Sequence, residues 1–271
     1  MNISVELVKQ LRDITMASLK DCKESLVEAE GDLNKAQEIL KKKGIASAGK
    51  KWDRETKEGK IGYLIKDKKI AVVKLGCETD FVAKNDLFTN LVQSVLDIAI
   101  NHEVSSFDEL DDSVKTQINE TIAEIIAKLG ENMKVLQLFV KTIPSEDVFV
   151  YTHAGSKLIS VIYYNSIAWD VSEEIKKVAL QVAAMDPKHL TIDHIPAEHI
   201  SLMTKEFEEE VKASGKPEAV MPSIVAGKLN KKYSEIVLHE QGYMGDETQK
   251  IKNIIEGKAT LIGFERIGFA N

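Results

Sequence analysis

Hydrophobic positions along this chain alternate between helical and strand-like spacing. Over residues 4–43 they recur three or four apart in three short runs: Leu7, Val8 and Leu11; Leu19, Cys22 and Leu26; Leu33, Ala36, Ile39 and Leu40. That spacing predicts three short amphipathic helices. Ser4 can cap the first and Asp32 the third, with Gly31 suited to the left-handed C′ position between them and Gly44 as the stop. So few residues bury little surface, and such a module is marginal on its own. Residues 44–59 combine Gly44, Ala46, Ser47, Ala48 and Gly49 with charged residues, and predict a linker that leaves the N-terminal module mobile.

Past the linker the period shortens to two. Residues 61–66 and 69–75 predict strands turning at Asp67-Lys68, followed by a helix with Leu87, Leu91, Val95 and Ala99 on one face. Val114, Ile118, Ile122, Ile125 and Leu129 mark a second amphipathic helix. Strand-like runs cover 133–142, 148–153 and 157–164, and a helix follows with Val171, Ile175, Val178 and Val182 on one side. Hairpin-plus-helix thus occurs around 60–101 and again around 148–184, which reads as a weak internal duplication. Residues 197–233 differ. Ile200, Met203, Phe207 and Val211 form a narrow stripe, Ser214-Gly215-Lys216-Pro217 breaks it, and Val220 or Met221, Ile224, Leu229 and Tyr233 resume it. This predicts an antiparallel helical hairpin projecting from the body, either self-packed or serving as a docking or homodimerisation arm. The tail holds a short helix with Ile251, Ile254 and Ile255 and a strand over 259–264.

The expected class is α+β. Its expected parts are a three-helix module (1–44), a linker (45–59), core subdomain N (60–142), core subdomain C (143–196 and 234–271) and the helical hairpin (197–233). Both subdomains are expected to pair antiparallel strands with packed helices.

Composition adds exclusions. The 271 residues are 44% hydrophobic and 29% charged, an ordinary globular balance. A formal net charge of −7 argues against nucleic acid as the main ligand, since phosphate binding needs a basic surface. Lys41, Lys42, Lys43, Lys50 and Lys51 do cluster, as an RNA-contacting patch or, more simply, a solvated face. The two cysteines, Cys22 and Cys77, suit neither a zinc site nor a disulfide scaffold and read as buried small hydrophobes in a reducing compartment. No basic stretch leading into an apolar core opens the chain, and no apolar run reaches the ~20 residues that span a bilayer, so the expected location is the cytoplasm. Among the six histidines none has metalloprotease spacing; His194 and His199 are five apart around Pro196. A phosphate loop, a dinucleotide fingerprint and a nucleophile elbow are all missing. These absences favour a binding protein without cofactor or metal over an enzyme.

The run Cys77-Glu78-Thr79-Asp80-Phe81-Val82-Ala83-Lys84-Asn85 lies where a predicted strand gives way to a helix. Phe81 therefore sits in a connection, where a large, stiff aromatic is readily presented to a partner. By residue type alone the commoner reading is an aromatic that caps its own core.

This run resembles the Thr-Asp-Phe-Val signature of the elongation factor Ts family, nucleotide exchange factors for the translational GTPase elongation factor Tu. Leu11-Arg12-Asp13-Ile14-Thr15, Asp21-Cys22-Lys23-Glu24-Ser25-Leu26, Glu30-Gly31-Asp32 and Ala36 are similar to the family's opening motif. Leu129-Gly130-Glu131-Asn132, Tyr151-Thr152-His153-Ala154-Gly155, and Ala179 to Ala184 with Pro187 follow in family order. The resemblance implies a UBA-like (ubiquitin-associated-type) N-terminal module, two core subdomains, and elongation factor Tu as partner. It implies that Phe81 enters the GTPase near its magnesium-binding region and helps to break magnesium and phosphate contacts, with Asp80 orienting it or pairing with a polar group of the partner. Thr79 and Val82 belong to the same contact. It also carries Lys23 to a contact with the GTP-binding domain, Leu129 and Gly130 to a loop near the wedge, and His153 to a contact with another domain of the partner. Local readings stand beside these: Leu129 ending its helix with Gly130 as C′ glycine, His153 as a strand-end histidine, Lys23 as a solvated lysine. Ser18-Leu19-Lys20 before Asp21 departs from a common family pattern. Some members carry a further C-terminal helix that touches the GTPase; no counterpart is read here, so that contact is expected to be missing or replaced. The main alternative is an adaptor that binds through the UBA-like module without exchange activity, and after it an enzyme of unfamiliar type.

Overall fold

The computed structural model describes residues 3–15, 17–49, 53–153, 155–215 and 217–269, with backbone alone over 44–49. It has a mixed α+β architecture with antiparallel sheets. The chain divides into two compact units, Met1–Thr142 with Gly155–Lys157 and Phe269–Asn271, and Ile143–Ala154 with Leu158–Gly268.

The first unit opens with α1 (Val5–Thr15), α2 (Leu19–Glu28) and α3 (Leu33–Gly49). Ser4 Oγ accepts from Leu7 N, Ser18 Oγ from Asp21 N, and Asp32 Oδ1 from Asn34 N and Lys35 N, so each helix start has a side-chain acceptor for its free amides. Val8, Leu11, Cys22, Leu26, Ala29, Ala36 and Leu40 form their shared core. Two details differ from expectation. Glu30, not Gly31, takes the C′ position of α2 at φ 53°, and the amides of Glu30 and Gly31 close onto Val27 O and Leu26 O as a Schellman end. Moreover, α3 runs past Gly44 to Gly49, into the stretch expected as a linker. Ala46, Ser47 and Ala48 carry little helical penalty, and no proline stops the helix there. Of the lysine cluster, Lys41 pairs with Glu124 at 2.9 Å and Lys43 with Glu28 at 2.8 Å, while Lys50 and Lys51 lie outside the described residues.

β1 (Glu58–Lys66), β2 (Lys69–Cys77) and β3 (Met133–Thr142) form an antiparallel sheet with β2 in the middle. β1 starts earlier than its alternation shows, because Glu58 and Gly59 pair with Cys77 and Gly76 without offering an apolar signal. Asp67 and Lys68 turn the hairpin with φ of 49° and 59°, a left-handed conformation that two-residue hairpins require and that Lys adopts at a cost. Lys68→Gly is therefore expected to stabilise the protein by about 0.5–1 kcal/mol in urea unfolding; no gain would mean that the turn is relaxed as it stands. Between β2 and β3 lie α4 (Asp80–Ala83), α5 (Asp86–Ala99) and α6 (Asp112–Leu129). Phe88, Leu91, Val95, Ile118, Ile122 and Ile126 pack with Val73, Leu75 and Leu138 in one core.

The second unit repeats the order of hairpin then helix seen in β1, β2 and α5. β4 (Asp147–His153) and β5 (Leu158–Ser166) form a hairpin, α7 (Ser172–Met185) follows, and the third strand of the sheet comes much later in the chain. In both three-stranded sheets a register shift interrupts the pairing of the middle strand with the third, at Lys74/Leu75 and at Tyr163/Tyr164. α8 (Ala197–Ala213) and α9 (Met221–Ile236) lie side by side, joined by Lys228–Glu210 at 2.7 Å and by Lys228 over the Phe207 ring. Val225, which the periodic reading passed over, is the buried residue of α9. The short β6 (Gly242–Tyr243) and β7 (Asp246–Lys250) pair with each other, then α10 (Ile251–Ile255) leads to β8 (Ala259–Gly268) beside β5. β8 extends past the expected end at 264 to complete that pairing. Ile162, Ile175, Val178, Val182, Ile251 and Leu261 share the second core. No described helix is long and apolar enough to cross a membrane.

Candidate functional site

At the end of β2 the chain leaves the sheet at Cys77 and makes a single helical turn, α4, before α5 begins. Thr79 is the N-cap, its hydroxyl accepting from Val82 N at 3.4 Å. Asn85 then caps α5, its Oδ1 accepting from Leu87 N at 2.8 Å. A four-residue turn has no cooperative stability of its own, so what holds it must come from its neighbours. Val82 and Ala83 supply one part by turning into the core. Phe81 points the other way and is 82% exposed, which removes the reading of this residue as the cap of its own core.

The second part comes from the turn after α6. Gly130, at φ 83°, ends that helix in the left-handed region and aims the next residues back at the β2 end. Glu131 accepts two hydrogen bonds from Thr79, from its amide at 3.0 Å and from its hydroxyl at 2.7 Å. Glu78 accepts from Asn132 N at 2.6 Å and meets Arg54 Nη1 at 3.4 Å, while Asn132 Nδ2 donates to Arg54 O at 2.6 Å. Two adjacent residues of each segment are thus tied to two of the other. Beneath them the Cys77 thiol donates to Thr79 O at 3.2 Å. Burial, reinforced by the charge of Glu131, pushes that thiol up to about 12, so it stays protonated and a donor.

On the exposed side Lys84 Nζ lies 2.7 Å from Asp80 Oδ2. The hydrogen bond from Lys84 holds the Asp80 carboxyl below its usual range, and the same bond raises Lys84. A lowered carboxylate keeps its contribution above its unfolded value and loses it only as pH falls further. A raised ammonium keeps its own until pH climbs past that raised value. Both remain charged between roughly pH 5 and pH 9. Asp80 is thereby engaged one turn along, flanking Phe81 on the solvent side.

Known relatives match most of this chain. The family model for elongation factor TS matches residues 78–270. The chain is similar to elongation factor Ts of Hydrogenobaculum sp. (39% identical, covering 98% of each chain), of Aquifex aeolicus (35%, 98% and 96%) and of Halothermothrix orenii (36%, 98% and 92%). The chain belongs to the elongation factor Ts family.

In this member of the elongation factor Ts family the Thr79–Val82 turn and the Leu129-Gly130 corner, expected near each other, are joined through Glu131, which follows Gly130 and accepts from Thr79. Leu129 is half-buried against the core and also ends α6, and Gly130 is its left-handed cap. Lys23 is exposed on α2, in a shallow groove with Lys20, Glu24, Val27, Glu28 and Lys43. Exposed Leu19 and Val27 lie on the same helix, and Ser18-Leu19-Lys20 falls on its solvent side. His153 ends β4 in the second unit, exposed, with Nδ1 2.8 Å from Tyr151 Oη. Three residues had no role in the sequence reading: Glu78, Glu131 and Asn132. All three stand inside quoted motifs, but nothing in their spacing announces a partner some fifty positions away. Trp169, fully exposed before α7 and two residues from the exposed Ile167, had no role in the sequence reading either.

Proposed function

We propose that this chain is a guanine nucleotide exchange factor that binds elongation factor Tu and promotes GDP release, so that GTP can rebind during translation elongation. It acts by binding, not by covalent chemistry, and needs no nucleotide or metal of its own. The observation that carries this reading is Phe81, an aromatic turned outward and 82% exposed, within the segment that matches the family. Phe81 is the wedge that enters the GTPase near its magnesium site, with Thr79, Asp80 and Val82 shaping the same contact. Lys23 on α2, the Leu129-Gly130 corner and His153 make further contacts with the GTPase. Helices α1–α3 serve as a UBA-like docking module, and α8 with α9 as an antiparallel arm available for docking or homodimerisation.

The physics is linkage. A protein that binds the nucleotide-free GTPase more tightly than the GDP form must weaken GDP binding by the same factor. Equal affinity for both forms shifts nothing, however tight. Titration calorimetry against nucleotide-free and Mg-GDP-loaded elongation factor Tu tests this. The expected result is binding to the nucleotide-free form at least ~100-fold tighter; equal affinities would overturn the proposal.

A further inference from the structure

Phe81 is almost wholly exposed, so none of its own contacts fixes its direction. Its direction is inherited from α4, a turn of four residues. We infer that Glu131 is the positioning residue of this wedge: its carboxylate, accepting two hydrogen bonds from Thr79, locks the capping residue of α4 and so pre-orders Phe81 for the partner. This rests on the exchange-factor reading for its functional consequence.

The chemistry of the donors makes the assignment specific. A carboxylate only accepts, so the Thr79 hydroxyl must spend its single hydrogen on Glu131 Oε1 at 2.7 Å. The oxygen's lone pairs are then free to face Val82 N, the amide that the N-cap serves. The long 3.4 Å cap bond is therefore one link of a chain running Val82 N–H to Thr79 Oγ1 to Glu131, in which each bond polarises the next. The second Glu131 oxygen takes the Thr79 amide at 3.0 Å, fixing the backbone at the point where the chain leaves the sheet. The carbonyl of Thr79 is held from below by Cys77. Glu131 itself is held in register because its neighbour Asn132 is tied to Glu78 and to the Arg54 carbonyl. An aromatic whose approach is set beforehand loses less freedom on binding, and the gain shows in association with the distorted partner rather than in the stability of the free chain.

The test combines two readouts. Amide hydrogen exchange on the isolated full chain compares wild type with Glu131→Ala and with Glu131→Gln, which preserves volume but replaces one acceptor by an N–H donor. Exchange kinetics on elongation factor Tu compare wild type, Phe81→Ala, Glu131→Ala and the double variant. The expected results are loss of protection confined to Thr79, Val82, Ala83 and Lys84, and GDP release slowed roughly tenfold by Glu131→Ala. In the Phe81→Ala background Glu131→Ala should change the rate by less than about twofold, because it acts through Phe81. Unchanged protection at Thr79 and at 82–84, additive effects in the double variant, or loss of protection spread over the whole unit would each overturn the inference. If the alanine variant does not fold, Glu131→Gln decides the matter by the same measures. Failure of wild type to accelerate release would sink the exchange-factor reading, while the hydrogen-exchange result would still decide whether Glu131 orders the turn.

Discussion

Phe81→Ala is expected to slow GDP release from elongation factor Tu by roughly 30-fold or more, the effect of losing a hot-spot aromatic worth about 2 kcal/mol or more. The melting temperature should hardly move. An 82% exposed side chain contributes little to the core, and substitutions of that kind stay within about 0.5 kcal/mol. The combination is diagnostic because the buried anchors of the same turn behave oppositely: Val82 and Ala83 are packed in the first core, so changing them costs stability before it tells anything about the partner. Parallel thermal melts and stopped-flow release check both halves. Normal folding with a wild-type rate would move the wedge elsewhere.

Gly59→Ala is expected to destabilise the first unit by roughly 3 kcal/mol, lowering the melting temperature by roughly 6–12 °C. Gly59 pairs with Gly76 at φ 149°, in a region that side-chain-bearing residues avoid. An added Cβ would also sit 2.0 Å from Leu75 O and 2.6 Å from the Phe269 ring. The carbonyl belongs to the middle strand and cannot step aside. The ring is held as well, with Lys74 and Lys157 ammonium groups 4.6 and 5.0 Å from its centre. Gly130→Ala is the control. It shares a positive φ of 83° but meets nothing within 4 Å, so it carries only the left-handed penalty of about 1 kcal/mol. Similar melting for both variants would show that the close approach at Gly59 does not matter.

Much of the fold was legible because it obeys one period at a time. α6 is an example: Val114, Ile118 and Ile122 are buried on one face, as the spacing dictates, while Ile126 is buried and the expected Ile125 and Leu129 are only half-buried. The β1–β2 hairpin was legible from alternation around Asp67-Lys68. Features below the resolution of periodicity were not. A polar, fully exposed strand such as β7 offers no apolar signal, and α4 is shorter than one hydrophobic repeat. The extension of α3 past Gly44 was hidden because a single glycine is a weak stop when helix-tolerant residues follow. In the candidate site, the position of Phe81 between strand and helix was readable, and its exposure was an open choice between core and surface. The Glu131–Thr79 clamp was not readable, since it joins residues 52 apart and depends on where Gly130 turns the chain. Local patterns fix which segments are ordered; a non-local carboxylate fixes how the ordered turn is aimed.

The most direct measurement is stopped-flow release of a fluorescent GDP analogue from elongation factor Tu, with and without this protein, beside a control factor of known activity. Strong acceleration that rises with the protein's concentration is the predicted result. No acceleration, with the control factor working, would contradict the account.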